Sequence, residues 1–408
     1  RGRLARLLGG VVRAATMFGL VFMWLGTVLK LCVDPPPQLE QLTLCSLVSS
    51  ICTGFIIKAA FFLAFGGTLR QTVRLLADTR ARFCTGDHNE ATRRRYHKQS
   101  NNIYYFIQIV AAIAIVGWIL CPLVTHILAK TDEDHPEARM QLPVPVWLPG
   151  DIHETPVFEM LYAFQSFTIT FGAQFCLSID IFFIHMMLML AAELEVLNYN
   201  LSAMGHVNLP KLGSHGGKSI SRYKSSGRQS ALLSSGQQLG EQILTEDSGN
   251  EWLHQQLVKN VLHHKAILRS VSLLESSMTV SIFGLLFINM ANLCSSMFVA
   301  SKLLQKEGSI GKALNALLTV PSELYETCIY CIYGNVMTDQ SERLLESAFH
   351  SDWVNGDTRF KRSLIIFMAV TRRPIVITVG KTCKLSKETL LQVLNGTYAL
   401  LNMLFNIH

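Results

Sequence analysis

Apolar residues gather into seven long runs, at 14–33, 42–65, 103–128, 157–190, 271–301, 314–337 and 385–405, with polar and charged side chains returning between them. A helix rises 1.5 Å per residue, so about 20 apolar residues carry a chain through roughly 30 Å of hydrocarbon. The pattern predicts an all-α, polytopic membrane protein with seven transmembrane helices. The first run follows Arg1, Arg3, Arg6 and Arg13, as a secretory signal does, but its core has the length of a span and no Ala-x-Ala cleavage pattern follows, so it is read as retained. Two segments between the runs read differently. Residues 339–372 place Leu344, Leu345, Ala348, Phe349, Leu364, Ile365 and Met368 at helical spacing, which predicts a helical hairpin turning at Trp353-Val354-Asn355-Gly356-Asp357. Residues from about 205 to 250 are rich in Ser and Gly and are expected to be a flexible linker.

Composition agrees with a lipid environment: 50% of the 408 residues are hydrophobic and 16% charged, against about 25% charged in soluble proteins. The net charge of +7 is unevenly placed. Lys and Arg number four before the first run, eight in 67–102 and eight in 338–384, against none in 34–41, two in 129–158 and two in 303–313. Positive residues accumulate on the cytosolic side of short loops, which predicts an intracellular N-terminus and, after seven crossings, an extracellular C-terminus. The hairpin at 339–372 then becomes a cytosolic helical anchor. The excess charge is accounted for by anionic lipid headgroups without nucleic acid.

The sequence lacks the Gly-x-Ser-x-Gly elbow, the P-loop, the dinucleotide fingerprint and the His-Glu-x-x-His pair, so an enzyme is not expected, nor a cofactor or a metal site. His263 and His264 diverge by about 100° on a helix and are expected in a solvated basic patch. Cysteines fall mainly within the runs and read as small packing residues; Cys32 and Cys45 flank the first outer loop at disulfide-compatible positions. Asp180 and His185 lie in the fourth run, which is long enough to carry both beyond the hydrocarbon as ordinary polar residues.

From Arg343 to Phe405 the sequence becomes specific. Glu346-Ser347-Ala348-Phe349, Trp353, Arg373-Pro374, Gly380, Leu385-Ser386-x-x-Thr389 and Thr397-Tyr398 resemble the insect odorant receptors, and the resemblance extends more loosely through the seven runs and the inside N-terminus. It implies an odorant-gated, non-selective cation channel in the plasma membrane of olfactory sensory neurons, a heterotetramer in which a tuning subunit joins the shared odorant co-receptor. After Thr397-Tyr398 and five intervening residues stands Leu404, where the co-receptor and the gustatory receptors carry Gln, which favours a tuning subunit. A seven-helix G-protein-coupled chemoreceptor is the alternative; it requires an outside N-terminus.

On this resemblance, residues 1–337 hold six helices, the linker and an outer ligand pocket, 338–384 the anchor, and 385–408 the pore-lining seventh helix. Thr397, Leu401 and Leu404 or Phe405 recur at three- and four-residue spacing and share a face, with Leu401 at the family's hydrophobic gate position. The resemblance places the ligand, a small volatile, in the outer half of the bundle, where Ile51, Trp118, Tyr162, Phe164, Phe167, Phe171, Leu317 and Tyr325 are available.

Overall fold

The computed structural model describes residues 2–36, 39–83, 86–131, 142–149, 156–204, 229–304, 320–351, 353–354 and 356–407. They form α1 (Gly2–Val33), α2 (Leu39–Ala64), α3 (Gly66–Arg82), α4 (Asp87–Thr131), α5 (Val157–Ala203), α6 (Gln229–Leu304), α7 (Val320–Phe349), α8 (Thr358–Thr371), a hairpin of β1 (Thr378–Val379) and β2 (Cys383–Lys384), and α9 (Lys387–Ile407). Among the described residues five helices are long and apolar enough to cross a membrane by length and composition, within Gly9–Val33, Cys45–Ala64, Asp87–Val124, Val157–Ala203 and Gly249–Lys302. The sixth and seventh expected spans fall on α7 and α9. Carboxylates at Glu323 and Glu326 dilute the apolar character of the first turns of α7.

The organising element is α5. Its 47 residues extend about 70 Å, more than twice the hydrocarbon thickness. It packs against α1, α2, α4, α6 and, most extensively, α7. Between Phe183 and Leu201 nearly every side chain is buried, on all sides of the helix, as expected of a helix with neighbours all round. The surplus length of α4, α5 and α6 makes, with α3, the end of α7 and α8, a helical base continuous with the bundle, and one apolar core runs from Phe183 and Met187 through Leu257 and Leu344 to Phe360. The opposite end is closed by residues 142–149. Val144 and Val146 insert against Met23, Val48 and Leu161, the Trp147 amide donates to the Gly26 carbonyl (3.1 Å), and the buried Gln165 side chain makes two hydrogen bonds with the Val144 backbone (3.0 and 3.1 Å).

The helical hairpin forms where the sequence pattern placed it, with Asp357 capping α8 by accepting from the Phe360 amide at 2.7 Å. The expected linker differs. Residues 205–228 lie outside the described part, but α6 already begins at Gln229, so the Ser/Gly content of 229–250 does not prevent helix. Strong helix formers such as Leu232, Leu233, Gln237, Gln238, Glu241 and Gln242 dominate that stretch and carry the helix through its glycines. Cys32 and Cys45 are both free thiols, Cys32 exposed and Cys45 buried, so the outer disulfide is not formed.

The β-hairpin fixes how α9 leaves the base. Gly380 and Lys381 both take positive φ at the turn, and a β-carbon on Gly380 would stand 2.4 Å from the Phe283 ring. Glu275 of α6 accepts from the Thr378 amide (3.0 Å), and Thr279 accepts from the Gly380 amide (2.9 Å). At Gly334 a β-carbon would lie 2.6 Å from the Leu385 carbonyl, so α7 approaches the chain entering α9 at backbone contact. Gly334→Val is therefore expected to destabilise the purified protein by about 1–3 kcal/mol through overpacking, seen as a lower thermal midpoint in detergent. Gly117→Ala, on an open helix face, should leave the midpoint unchanged or slightly raised; equal losses at both positions would contradict this packing.

Candidate functional site

The expected spans are apolar except for a few ionisable residues, and the fold brings three of these together. Lys58 of α2 is 1% exposed, and its ammonium lies 2.9 Å from both carboxylate oxygens of Asp180 on α5 and pairs with Glu326 on α7. The Tyr330 hydroxyl donates to Asp180 at 2.5 Å, and the Asn289 side chain on α6 donates to Glu326 at 3.2 Å. Four helices thus contribute to one polar knot in an apolar interior, where an isolated ion is penalised by several kcal/mol unless partnered. The expectation for Asp180 is corrected accordingly. It is not an ordinary solvated polar residue: its carboxylate is bound by Lys58 of α2 and Tyr330 of α7, each within an apolar run of its own. His185, one turn nearer the base, has its Nδ1 2.8 Å from the Ser100 hydroxyl of α4.

Beside the knot is a cavity of about 10 Å³. Ile107, Leu177, Ile181 and Ile329 line it together with Asp180, Tyr325, Glu326 and Tyr330, and the surface it presents is almost wholly apolar. The Tyr325 hydroxyl oxygen is shut off from solvent and has no hydrogen-bond partner among the described residues.

Of the described residues expected to bind ligand, Tyr325 alone lines this cavity. Trp118 and Tyr162 are brought together nearer the closed end, but their polar atoms are engaged: the indole donates to the Pro143 carbonyl at 3.1 Å and the phenol to the Ile119 carbonyl. Phe164 meets Phe22 edge-on at 5.5 Å, whereas Phe167 and Phe171 pair with each other at 4.5 Å on the exposed side of α5. Ile51 is half-buried on α2, and Leu317 lies outside the described residues. On α9, which contacts α6 and α7, Thr397 is buried and its hydroxyl donates to the Val393 carbonyl at 2.9 Å. Leu401, one turn on, is half-buried; Leu404 and Phe405 belong to α9, with side chains outside the described part. Leu391, Tyr398 and Met403 are exposed.

A second charged knot fastens the base. Arg93 of α4, 2% exposed, makes a two-pronged ion pair with Glu193 of α5 at 2.8 Å for each contact and also reaches Glu90 and the Phe83 carbonyl. His263 of α6 lies 3.1 Å from Glu193 and stacks on Phe83. The solvated patch expected at His263 and His264 is therefore absent. His263 is fully buried, and His264 packs edge-on against Phe367 of α8, because both faces of α6 are covered at this level.

Lys58, Glu326, Arg93 and Glu193 were not singled out from the sequence. For the bundle knot the available signal was Lys58, the one charged residue in the run 42–65, with carboxylates in the runs 157–190 and 314–337; Arg93 and Glu193 lie outside the runs. Removing the cation alone should be costly: Lys58→Met is expected to lose about 3–5 kcal/mol by leaving two buried carboxylates unpaired. The triple change Lys58→Met, Asp180→Asn, Glu326→Gln should recover most of that loss. Thermal unfolding in detergent checks both, and a triple variant no better than the single one would deny the coupling.

The geometry has a counterpart among known proteins. A family model described as 7tm Odorant receptor matches residues 38–398. Odorant receptor Or1 of Anopheles gambiae is 24% identical over 310 residues, covering 73% of this chain and 65% of its own length. Odorant receptor 2a of Drosophila melanogaster is 35% identical over 79 residues, 19% of this chain and 20% of its own. The chain thus spans less than two thirds of the length of these relatives. In three dimensions it is similar to the olfactory receptor OR5 of Machilis hrabei solved in complex with eugenol, with a TM-score of 0.74, 13% identity, and coverage of 100% of this chain and 91% of that one. That family comprises receptors rather than enzymes, and by its fold and its long apolar helices this protein is a multi-pass membrane protein. The chain belongs to the 7tm odorant receptor family.

Proposed function

We propose that the protein is the tuning subunit of an odorant-gated, non-selective cation channel. In this reading it binds a small volatile within the bundle, opens a pore lined by α9, and works in a heterotetramer with the shared odorant co-receptor in the plasma membrane of olfactory sensory neurons. The N-terminus is cytosolic, the C-terminus outside, and the base formed by 338–384 and its neighbours is the cytosolic anchor.

The observation that carries the reading, beyond family membership, is the setting of α9. Every other long helix is packed around α5, whereas α9 stands at the edge of the bundle against α6 and α7 alone among its major contacts. Close approach at Gly396, where a β-carbon would meet the Met290 sulfur at 3.3 Å, keeps one face on the subunit. Leu391, Leu394, Tyr398 and Met403 leave an apolar surface open to further copies. An edge helix with one face held and one face free is what a subunit contributes to a central pore. On the family resemblance Thr397, Leu401, Leu404 and Phe405 are assigned to the pore and its gate, Thr397 being buried and Leu401 half-buried in the single subunit, with a ring of Leu401 side chains closing the path by excluding water. The olfactory receptor of similar fold was solved with eugenol, which supports a small ligand of that kind. Binding drives opening only to the extent that the ligand prefers the open state.

Leu401→Ala, expressed with the co-receptor, is expected to raise the ligand-free current about tenfold, equivalent to ~1.4 kcal/mol of lost closed-state preference; unchanged basal current and permeation would assign Leu401 to packing. A tag fused after His408 should bind antibody on unpermeabilised cells. Access only after permeabilisation would invert the orientation and remove the pore assignment of α9.

A further inference from the structure

The hydrogen bonds of the knot around Lys58 can be followed donor by donor. The ammonium has three N–H groups and three contacts that use them, one to each carboxylate oxygen of Asp180 at 2.9 Å and one to Glu326. The Tyr330 hydroxyl adds a donor to Asp180 at 2.5 Å. Asp180 thus accepts three hydrogen bonds, two of them from a cation, which is the setting of an ionised carboxylate. Glu326 is held differently. Beside the ammonium it meets the Asn289 amide at 3.2 Å, and that amide lies 3.3 Å from the Thr327 hydroxyl.

With both acids ionised the charges do not balance. One ammonium then faces two carboxylates, and the other side chains that bind them, Tyr330 and Asn289, carry no charge. The surrounding titratable groups supply no second cation among the described residues. On α5, Cys176 lies within electrostatic reach of Lys58 and Asp180, and Cys52 of α2 within reach of Cys176. On α7, Tyr325 lies within reach of Asp180 and Tyr333. α4 presents Ile107 and α6 presents Asn289. The neighbouring cavity has room for about one water and an almost wholly apolar surface, so it draws in no dissolved counter-ion. A surplus charge in an apolar interior is strongly disfavoured.

A proton on Glu326 satisfies the charge and the hydrogen bonds together. The acid is then neutral, and one ammonium is left against one carboxylate. Its O–H needs an acceptor, and a half-turn of the Asn289 amide puts Oδ1 in place of Nδ2 without a change of shape. In that position Oδ1 accepts from Glu326 and from the Thr327 hydroxyl. We propose that the knot is a proton-binding site, in which Glu326 is held as a neutral carboxylic acid between Lys58 and Asn289 while Asp180 alone is ionised. The proton is a constituent of the folded receptor, taken up from solution on folding. The inference does not depend on the channel reading, since it concerns the bundle whether or not α9 lines a pore.

Infrared spectroscopy of the purified full chain in an ester-free detergent, at about pH 7, tests it directly; free carboxylates are ionised there. Wild type should show the C=O stretch of one protonated carboxyl group, and Glu326→Gln should lack it. The triple variant Lys58→Met, Asp180→Asn, Glu326→Gln should also lack it, and serves where the single variant fails to fold. Absence of the band from wild type would overturn the site, and a band that survives Glu326→Gln but is lost in Asp180→Asn would overturn the assignment to Glu326. Thermal unfolding gives a second reading. Between about pH 6 and about pH 8 a glutamate of the unfolded chain is ionised, so the folded state holds one proton more and stability falls as pH rises. The midpoint of wild type should therefore decline more steeply over this range than that of Glu326→Gln. Equal slopes, or a midpoint that follows sodium concentration at fixed pH in place of the proton, would overturn the proposal.

Discussion

A lysine buried to 1% exposure inside a membrane bundle constrains everything around it. Its charge is tolerated only with carboxylates at hydrogen-bonding distance, and these come from α5 and α7, so the depth and rotation of α2, α5 and α7 are set relative to one another by one ammonium group. Apolar packing alone would permit helices to slide by a turn at modest cost. Pairing Lys58 with Asp180 at 2.9 Å does not. Asn289 extends the same register to α6, the helix on which α9 leans.

The base applies the same device a second time. Arg93 and Glu193, separated by 100 residues, meet as a bidentate pair with both members almost wholly buried, and His263 adds α6 to the join. Two polar knots, one in the bundle and one in the base, hold the long helices α5 and α6 at two heights. Between them lie the apolar core through Met187 and Leu190 and the β-hairpin on Glu275 and Thr279 that aims α9.

Much of this was legible in the sequence. The apolar runs located the spanning helices, since length and hydropathy are local properties, and the turn before α8 was announced by Asn355-Gly356-Asp357. Ser/Gly content misled at 229–250, where helix formers prevailed over the residues read as a linker. The knots were not legible because their partners are remote: Lys58 and Glu326 are 268 residues apart, and nothing near either one marks the other. His263 and His264 looked solvated for the same reason, their cover coming from α3, α5 and α8 rather than from their own helix. The hydrogen bonds of Trp118 to the Pro143 carbonyl and of Tyr162 to the Ile119 carbonyl were not legible either, because they depend on backbone carbonyls no side-chain pattern reveals.

In the proposed channel a bundle pinned at two heights carries a pore lined by α9, so that ligand occupancy and conduction belong to the same molecule. The most direct measurement is single-channel recording from excised outside-out patches carrying this subunit and the co-receptor, in solutions free of GTP and ATP. Openings evoked by ligand that continue undiminished after nucleotide washout are the predicted result. Openings that disappear with the nucleotide, and return when GTP is restored, would place the pore in another protein and contradict the account.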